Sequence, residues 1–159
     1  PRILSSAASD VYKRQVFLGR PNTQKLQIST IRKLVELFKS QEIISSTNEI
    51  CFAFIVPNVN KHLKFIQDTL AEDYLCSIET FVALDNFKVA EILSQSLYSF
   101  NCYEWEAFGL SYIESLCMGC NVLLPITSPI LPIIDHINDS PVFNFTNSEF
   151  LNHSILDND

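Results

Sequence analysis

Residues 50–56 read ICFAFIV and are apolar throughout. An uninterrupted apolar run of this length is typical of a β-strand that is covered on both faces, as the strands of a parallel sheet are. Other short apolar runs alternate along the chain with segments whose apolar residues recur at helical spacing. Because this alternation is strict and the connections are short, the sequence predicts an α/β fold with a doubly wound parallel sheet of Rossmann-like type.

The predicted elements cover the chain from residue 16 onward. Strands are expected at residues 16–18, 50–56, 78–83, 97–100, 122–124 and 142–145, and apolar residues recur at helical spacing and mark the buried faces of helices at residues 28–38, 63–70, 89–93, 110–117 and 130–137. Asn60, Asp85 and Ser128-Pro129 suit helix starts, and Gly119 suits a left-handed residue at a helix end. In doubly wound sheets ligands bind beyond the carboxyl ends of the strands, so we expect a site in the loops at that edge.

Charge is distributed unevenly along the 159 residues, whose net charge is −7. Residues 1–40 hold eight of the 11 basic residues and two of the 18 acidic ones, so an anion bound by formal charge must meet the early part of the chain. A net acidic protein repels a phosphate backbone, and we expect no nucleic-acid partner. No apolar run approaches the roughly 20 residues of a membrane-spanning helix, and we expect at most peripheral membrane contact.

The five cysteines are odd in number and scattered, and no signal peptide is visible, which favours a reduced, cytoplasmic protein. Cys117 and Cys120 have the C-x-x-C spacing of a redox pair or of half a zinc site. There is no second such pair, and the three histidines show no ligand spacing. We therefore favour ordinary buried thiols, and we expect no metal site.

Residues 1–15, PRILSSAASDVYKRQ, differ in character from the rest of the chain. They are polar and rich in Ser and Ala, and they resemble a translated adaptor sequence that recurs at the ends of proteins predicted from short-read assemblies. We interpret them as extraneous or disordered, with the domain spanning residues 16–159, and we expect that an upstream domain is missing. A genuine disordered N-terminal arm is the alternative.

Two of the three glycines lie at the edge where a ligand is expected. Gly19 follows the first predicted strand, and Gly109 stands at the fourth strand-to-helix junction. Either a positive φ or the close approach of a ligand would explain a glycine at these places. Arg20 and Lys25 follow Gly19 in the same loop and could pair with phosphate groups.

The fourth junction combines a helix start with two carboxylates. The backbone amides of Phe108, Gly109 and Leu110 could hold a phosphate or diphosphate, since a helix N-terminus presents unpaired N–H groups and partial positive charge. Glu106 precedes the helix and Glu114 lies about one turn inside it. Carboxylates beside an anion are useful when they accept hydrogen bonds from sugar hydroxyls, so the combination suits a nucleotide sugar.

The motif that spans this junction, EAFGLSYIESLCMGCNV at residues 106–122, resembles the E-x7-E region of retaining, GT-B-fold glycosyltransferases. Residues 19–25 are similar to the G-R-x4-K element of the same family, with the same spacing and in the correct upstream position. The resemblance covers only the nucleotide-binding, C-terminal half of the GT-B fold. Four places depart from the family pattern, namely Ala107, Cys102-Tyr103, Asn121 and residues 55–58, which lack the glycine-rich turn.

The resemblance implies transfer of a sugar from a nucleoside diphosphate sugar to a hydroxyl acceptor, with retention and without a metal. The donor is a substrate, and no other cofactor is implied. In this reading Glu106 contacts the donor sugar and Glu114 the ribose, while Arg20 and Lys25 contact the diphosphate and the backbone of Phe108, Gly109 and Leu110 lies near the donor. Glu106, Arg20 and Lys25 are the expected catalytic residues, and the missing N-terminal domain would carry the acceptor site.

Three alternatives remain open. A hydrolase would use Glu106 with Glu104 or Glu114 as an acid–base pair and would leave Arg20 and Lys25 without a role. A non-catalytic, degenerate nucleotide-sugar-binding module is favoured by Ala107 and by the lost glycine turn. A sugar-nucleotide epimerase of the same fold would release an altered sugar nucleotide instead of a glycoside.

Overall fold

The computed structural model describes residues 14–40, 42, 44–47, 50–100, 109–125 and 142–145. The elements in chain order are β1 (Arg14–Leu18), α1 (Ile28–Ser40), β2 (Cys51–Val56), α2 (Lys61–Asp73), β3 (Ser77–Val82), α3 (Asn86–Ser94), β4 (Tyr98–Phe100), α4 (Leu110–Cys117), β5 (Asn121–Pro125) and β6 (Val142–Phe145). The helix predicted within residues 130–137 and its Ser128-Pro129 start lie outside the described residues.

The six strands form one sheet in the order β3-β2-β1-β4-β5-β6. Every neighbouring pair is parallel. The chain winds outward from β1 in one direction through β2 and β3, then returns to the other side of β1 through β4, β5 and β6. This order confirms the predicted doubly wound α/β sheet, and the point where the winding reverses lies between β1 and β4.

The first strand begins earlier than predicted. β1 starts at Arg14, two residues before the expected start, because Arg14 and Gln15 pair in register with β2. Gln15 is 1% exposed. Arg14 reaches across the sheet to Glu79 of β3, where Nη2 donates to Oε1 at 3.3 Å. Nε lies 2.9 Å from Oε2 at an angle outside the hydrogen-bonding range. The extraneous origin of residues 1–15 stays a prediction.

The predicted helix caps are confirmed wherever the structure describes them. Asn60 Oδ1 accepts a hydrogen bond from Leu63 N at 2.8 Å, and Asp85 Oδ1 accepts one from Lys88 N at 2.9 Å. Gly119 follows α4 with a φ of 77°, and its N–H donates to Leu116 O at 2.9 Å. Side-chain caps fix where α2 and α3 begin, and a left-handed glycine fixes where α4 ends.

Alternate residues of the central strands build two different layers. We call the layer under α1 and α2 the aromatic face; its buried strand residues are Phe17, Phe52, Phe54, Val56, Tyr98, Phe100 and Leu123. The opposite layer is the open face, where Val16, Ala53 and Ile55 pack against Ile92 and Leu93 of α3. Both faces of β2 are therefore covered, as its apolar sequence predicts. None of the helices in the described part of the chain is long and apolar enough to cross a membrane.

Candidate functional site

A cavity of about 330 Å³ opens at the carboxyl edge of the sheet, where the fold places ligands. Its wall combines the ends of β1 and β2, the turn after β3, the start of α3 and one residue of α4. The lining residues are Leu18, Gly19, Ile55, Val56, Pro57, Ala83, Leu84, Asn86, Val89 and Glu114. Two residues expected in the site from the sequence motifs, Gly19 and Glu114, thus border one cavity although they are far apart in the chain.

Gly19 turns the chain out of β1 into the cavity wall. Its φ is 151°, in the range where only glycine is unstrained, and its N–H donates to Ile55 O at 3.1 Å. A Cβ at this position would lie 3.9 Å from the Phe17 ring, which is ordinary contact. The backbone angle, and not a lack of space, therefore explains the glycine.

The loop that follows, residues 19–27, carries both candidate cations, and we call it the cation loop. Arg20 is exposed and Lys25 is half-buried. Asn22 Oδ1 accepts hydrogen bonds from Gln24 N at 3.1 Å and from Lys25 N at 2.8 Å, which closes the loop into a compact turn. Because β1 and β4 are parallel neighbours in the sheet, this loop begins beside the carboxyl end of β4.

Two residues at the start of α2, the cap residue Asn60 and His62 in the first turn, hold the cation loop, and the sequence patterns had not assigned them this role. Asn60 Nδ2 donates to Pro21 O at 2.7 Å, in addition to its capping contact. His62 Nε2 lies 2.7 Å from Leu26 O, and since a carbonyl oxygen only accepts, Nε2 carries the hydrogen. The signal in the sequence was the Asn60 cap, which indicated where α2 begins but not which loop it touches.

At the fourth junction the structure describes Gly109 and the residues after it. Gly109 has φ 60° and ψ 39°, and its carbonyl accepts hydrogen bonds from Tyr112 N at 2.9 Å and Ile113 N at 3.3 Å. A left-handed residue directly before the helix explains the glycine. Leu110 is exposed at the start of α4, and Glu114 is exposed one turn later, on the side that borders the cavity.

The remaining predicted site residues, Glu106 and Phe108, lie outside the described residues, as do Glu104 and Ala107. The pairing of Glu106 with Glu114 in an E-x7-E site therefore stays a prediction. Within the described ranges, no group of three or more His, Cys, Asp or Glu side chains could hold a metal ion.

A second cavity, of about 260 Å³, lies between α3 and α4 and shares Asn86, Val89 and Glu114 with the first. Cys120 is buried as predicted, whereas Cys117 is exposed along this groove, so the prediction of a buried thiol is wrong for Cys117. Burial raises the pKa of the Cys120 thiol to about 12. A thiol that stays protonated at neutral pH is a poor partner for disulfide exchange, which agrees with the interpretation of Cys120 as an ordinary buried thiol.

Comparison with known proteins rests on structure alone, since no protein-family model and no curated protein matches this chain. The structure of OtsA is matched over 91% of this chain and 34% of its own length, with 10% identity and a TM-score of 0.65. A UDP-forming α,α-trehalose-phosphate synthase from Burkholderia xenovorans is matched over 91% and 35%, with 9% identity and a TM-score of 0.64. TarM is matched over 88% and 26%, with 17% identity and a TM-score of 0.59.

The chain therefore spans about a quarter to a third of the length of these solved structures. All three are GT-B glycosyltransferases, and at such low identities the likeness is one of architecture. The chain has the Rossmann-like α/β fold of a domain of the GT-B glycosyltransferases.

Proposed function

We propose that this domain binds the nucleoside diphosphate sugar of a retaining, metal-independent glycosyltransferase. The observation that carries the proposal is that Gly19 of the G-R-x4-K element and Glu114 of the E-x7-E motif border the same cavity at the carboxyl edge of the sheet. A cavity of about 330 Å³ is within the range of small-molecule sites, and its apolar lining with one carboxylate suits a nucleoside. The UDP-forming synthase among the matched structures makes UDP the first nucleotide to test.

Each part of the donor has a partner of suitable chemistry. Glu114 accepts hydrogen bonds from the ribose hydroxyls, and Glu106 does the same for the donor sugar. Arg20 and Lys25 pair with the diphosphate, helped by the N–H groups at the start of α4. Sugar transfer builds negative charge on the departing diphosphate, so fixed cations beside it stabilise the transition state without a metal.

The acceptor site belongs to a second domain in this proposal. The matched structures are about three times as long as the part that this chain aligns with. The chain as given is then a partial enzyme, which binds donor weakly and does not transfer sugar by itself. Transfer requires the N-terminal domain that would bring the acceptor hydroxyl to the donor carbon.

Titration calorimetry with UDP, GDP and ADP tests the proposal. We expect one of the three to bind, and we expect Arg20→Ala and Glu114→Gln each to weaken it about tenfold, because each loses a charge-assisted hydrogen bond. Lys39→Ala and Glu72→Gln are matched controls, since both residues are exposed near the carboxyl ends of α1 and α2, at the edge of the sheet away from the cavity. Equal affinity in all five proteins contradicts the assignment, and so does the absence of binding by all three nucleotides.

A further inference from the structure

We propose that the cap and first turn of α2 are a positioning element for the diphosphate. Asn60 and His62 hold the cation loop and thereby fix the backbone from which the side chains of Arg20 and Lys25 extend. This inference rests on the proposed function. It adds two positioning residues that neither touch the donor nor belong to either sequence motif.

The two contacts come from the cap and the first turn of α2, and they hold the loop at two places. Asn60 Nδ2 donates to the carbonyl of Pro21, the residue directly after Arg20. His62 Nε2 donates to the carbonyl of Leu26, the residue directly after Lys25. Each cation is therefore followed by a backbone carbonyl that α2 holds at 2.7 Å.

Packing and local hydrogen bonds complete the support of the loop. Pro21 is buried and Leu26 is fully buried, so both held residues are also anchored by apolar contact. Between them, Leu26 N donates to Asn22 O at 3.0 Å, which adds to the turn that Asn22 closes with its side chain. The backbone origin of both cations is thus fixed before any ligand arrives.

A fixed backbone position matters because a long arginine or lysine side chain loses conformational freedom when it pairs with a phosphate. A cation that starts from a rigid backbone has less freedom to lose, and its charge is already directed to the right region. The contribution of Asn60 and His62 then appears as tighter diphosphate binding, transmitted through Arg20 and Lys25 respectively.

The chemistry of the two residues allows the positioning role to be separated from folding. Asn60 uses Oδ1 to cap α2 and Nδ2 to hold Pro21, so Asn60→Ser retains a cap and loses the longer reach to the loop. His62→Gln retains an N–H donor near the position of Nε2, whereas His62→Leu removes it. Neither serine nor glutamine introduces a charge that would act on the anion directly.

The test measures two quantities on the full chain, the affinity for inorganic pyrophosphate and UDP by calorimetry, and the hydrogen exchange of residues 20–27 by mass spectrometry. Asn60→Ser and His62→Leu are expected to weaken pyrophosphate binding about three- to tenfold and to speed exchange in the cation loop by a similar factor. His62→Gln is expected to behave as the unmodified chain. Exchange within β2 should not change in any of the three.

Double variants decide whether the effect passes through the cations. Asn60→Ser should have no further effect on pyrophosphate binding in an Arg20→Ala background, and His62→Leu none in a Lys25→Ala background, while the crossed combinations stay additive. A full effect of either substitution after its cation is removed overturns the positioning role. Unchanged affinity and exchange in Asn60→Ser and His62→Leu, or a glutamine at residue 62 that behaves like leucine, also overturn it.

Failure of the proposed function gives a different result. If neither pyrophosphate nor UDP binds the unmodified chain, the donor assignment is wrong. The exchange data then still decide whether Asn60 and His62 hold the loop, and unchanged exchange in both variants overturns that part as well.

Discussion

The two faces of the sheet are built by the same strands, yet among the described residues large rings fill the aromatic face, whereas both cavities described above are lined by residues of α3 on the open face. On the aromatic face Phe17 lies between Phe54 and Phe100, with ring centroids 6.4 and 6.0 Å away. On the open face the corresponding β2 residues are the smaller Ala53 and Ile55. Large rings fill the space under α1 and α2. Of the open-face strand residues, Leu18 and Ile55 line the larger cavity and Ala53 does not, so this cavity forms where β1 and β2 end.

The first prediction, with the largest expected effect, compares the loss of folding stability when two adjacent residues of β2 are each replaced by alanine. Phe54 is fully buried on the aromatic face, and Ile55 borders the cavity on the open face. We expect Phe54→Ala to lower the free energy of unfolding by about 4 kcal/mol, because the closed layer cannot collapse around the missing ring. Ile55→Ala should cost about 2 kcal/mol, since part of its surface already lacks packing partners. Equal losses in denaturant unfolding would contradict the asymmetry.

The second prediction uses pH to test how completely the aromatic face excludes water. Tyr98 stacks on Phe38 there, with ring centroids 5.2 Å apart, and burial raises its pKa to about 12. Above pH 10 the unfolded chain loses the phenol proton while the folded chain keeps it, so stability falls as the pH rises toward 12. Tyr98→Phe keeps the ring and should remove part of this fall, on the order of 1 kcal/mol between pH 8 and pH 11.

Unfolding by denaturant at pH 8 and at pH 11 measures that difference. Burial also raises the pKa of Tyr74, which lies at the edge of the same face and is half-buried. Tyr74→Phe is therefore the matched control, with a smaller expected effect. If Tyr98→Phe leaves the alkaline fall unchanged, water reaches the phenol and the aromatic face is not closed.

The third prediction concerns strain at the cleft. Ala83 directly follows β3 with a φ of 50°, an uncommon conformation for a residue with a Cβ, and it borders the larger cavity. Ala83→Gly should raise the free energy of unfolding by about 0.5 to 1 kcal/mol, because glycine adopts this conformation without strain. Ala53→Gly, in the middle of β2, is the control and should lower stability by about 1 kcal/mol. Thermal unfolding of the two variants should shift in opposite directions.

The sequence predicted the sheet well because the signals for its strands and helix ends lie in residues that are adjacent in the chain. The apolar run of β2, the Asn60 and Asp85 caps and the glycine after α4 are each read from a few adjacent residues, and the structure confirms them. The start of β1 was wrong by two residues because Arg14 and Gln15 are polar. Their place in the sheet depends on pairing with β2 and on the contact with Glu79, which no local pattern reveals.

For the candidate site, the sequence allowed predictions only for groups of residues that lie close together in the chain. Gly19 and Glu114 belong to separate patterns in the sequence, and the fold brings these two residues to one cavity, which neither Arg20 nor Lys25 lines. The contacts of Asn60 and His62 with the cation loop join residues 39 and 36 positions apart, and they depend on how α2 sits against that loop. Such contacts leave no periodic signal in the sequence, which is why His62 had no assigned role.

The smallest expected effect lies on the outside of the closed half of the molecule. Arg32 of α1 pairs with Asp73 at the end of α2, with Nη2 and Oδ2 2.7 Å apart, and the Arg32 side chain is half exposed. Arg32→Ala should lower stability by about 0.5 kcal/mol or less, and salt at about 0.5 M should remove most of that difference, because water and ions screen exposed pairs. A double-variant cycle with Asp73→Asn isolates the pair from the loss of the side chain itself. A coupling above about 1.5 kcal/mol would contradict this expectation, because the ion pair would then contribute to holding α1 and α2 in place in addition to the phenylalanine layer beneath them. The contrast between the two faces would then depend on charge as well as on packing.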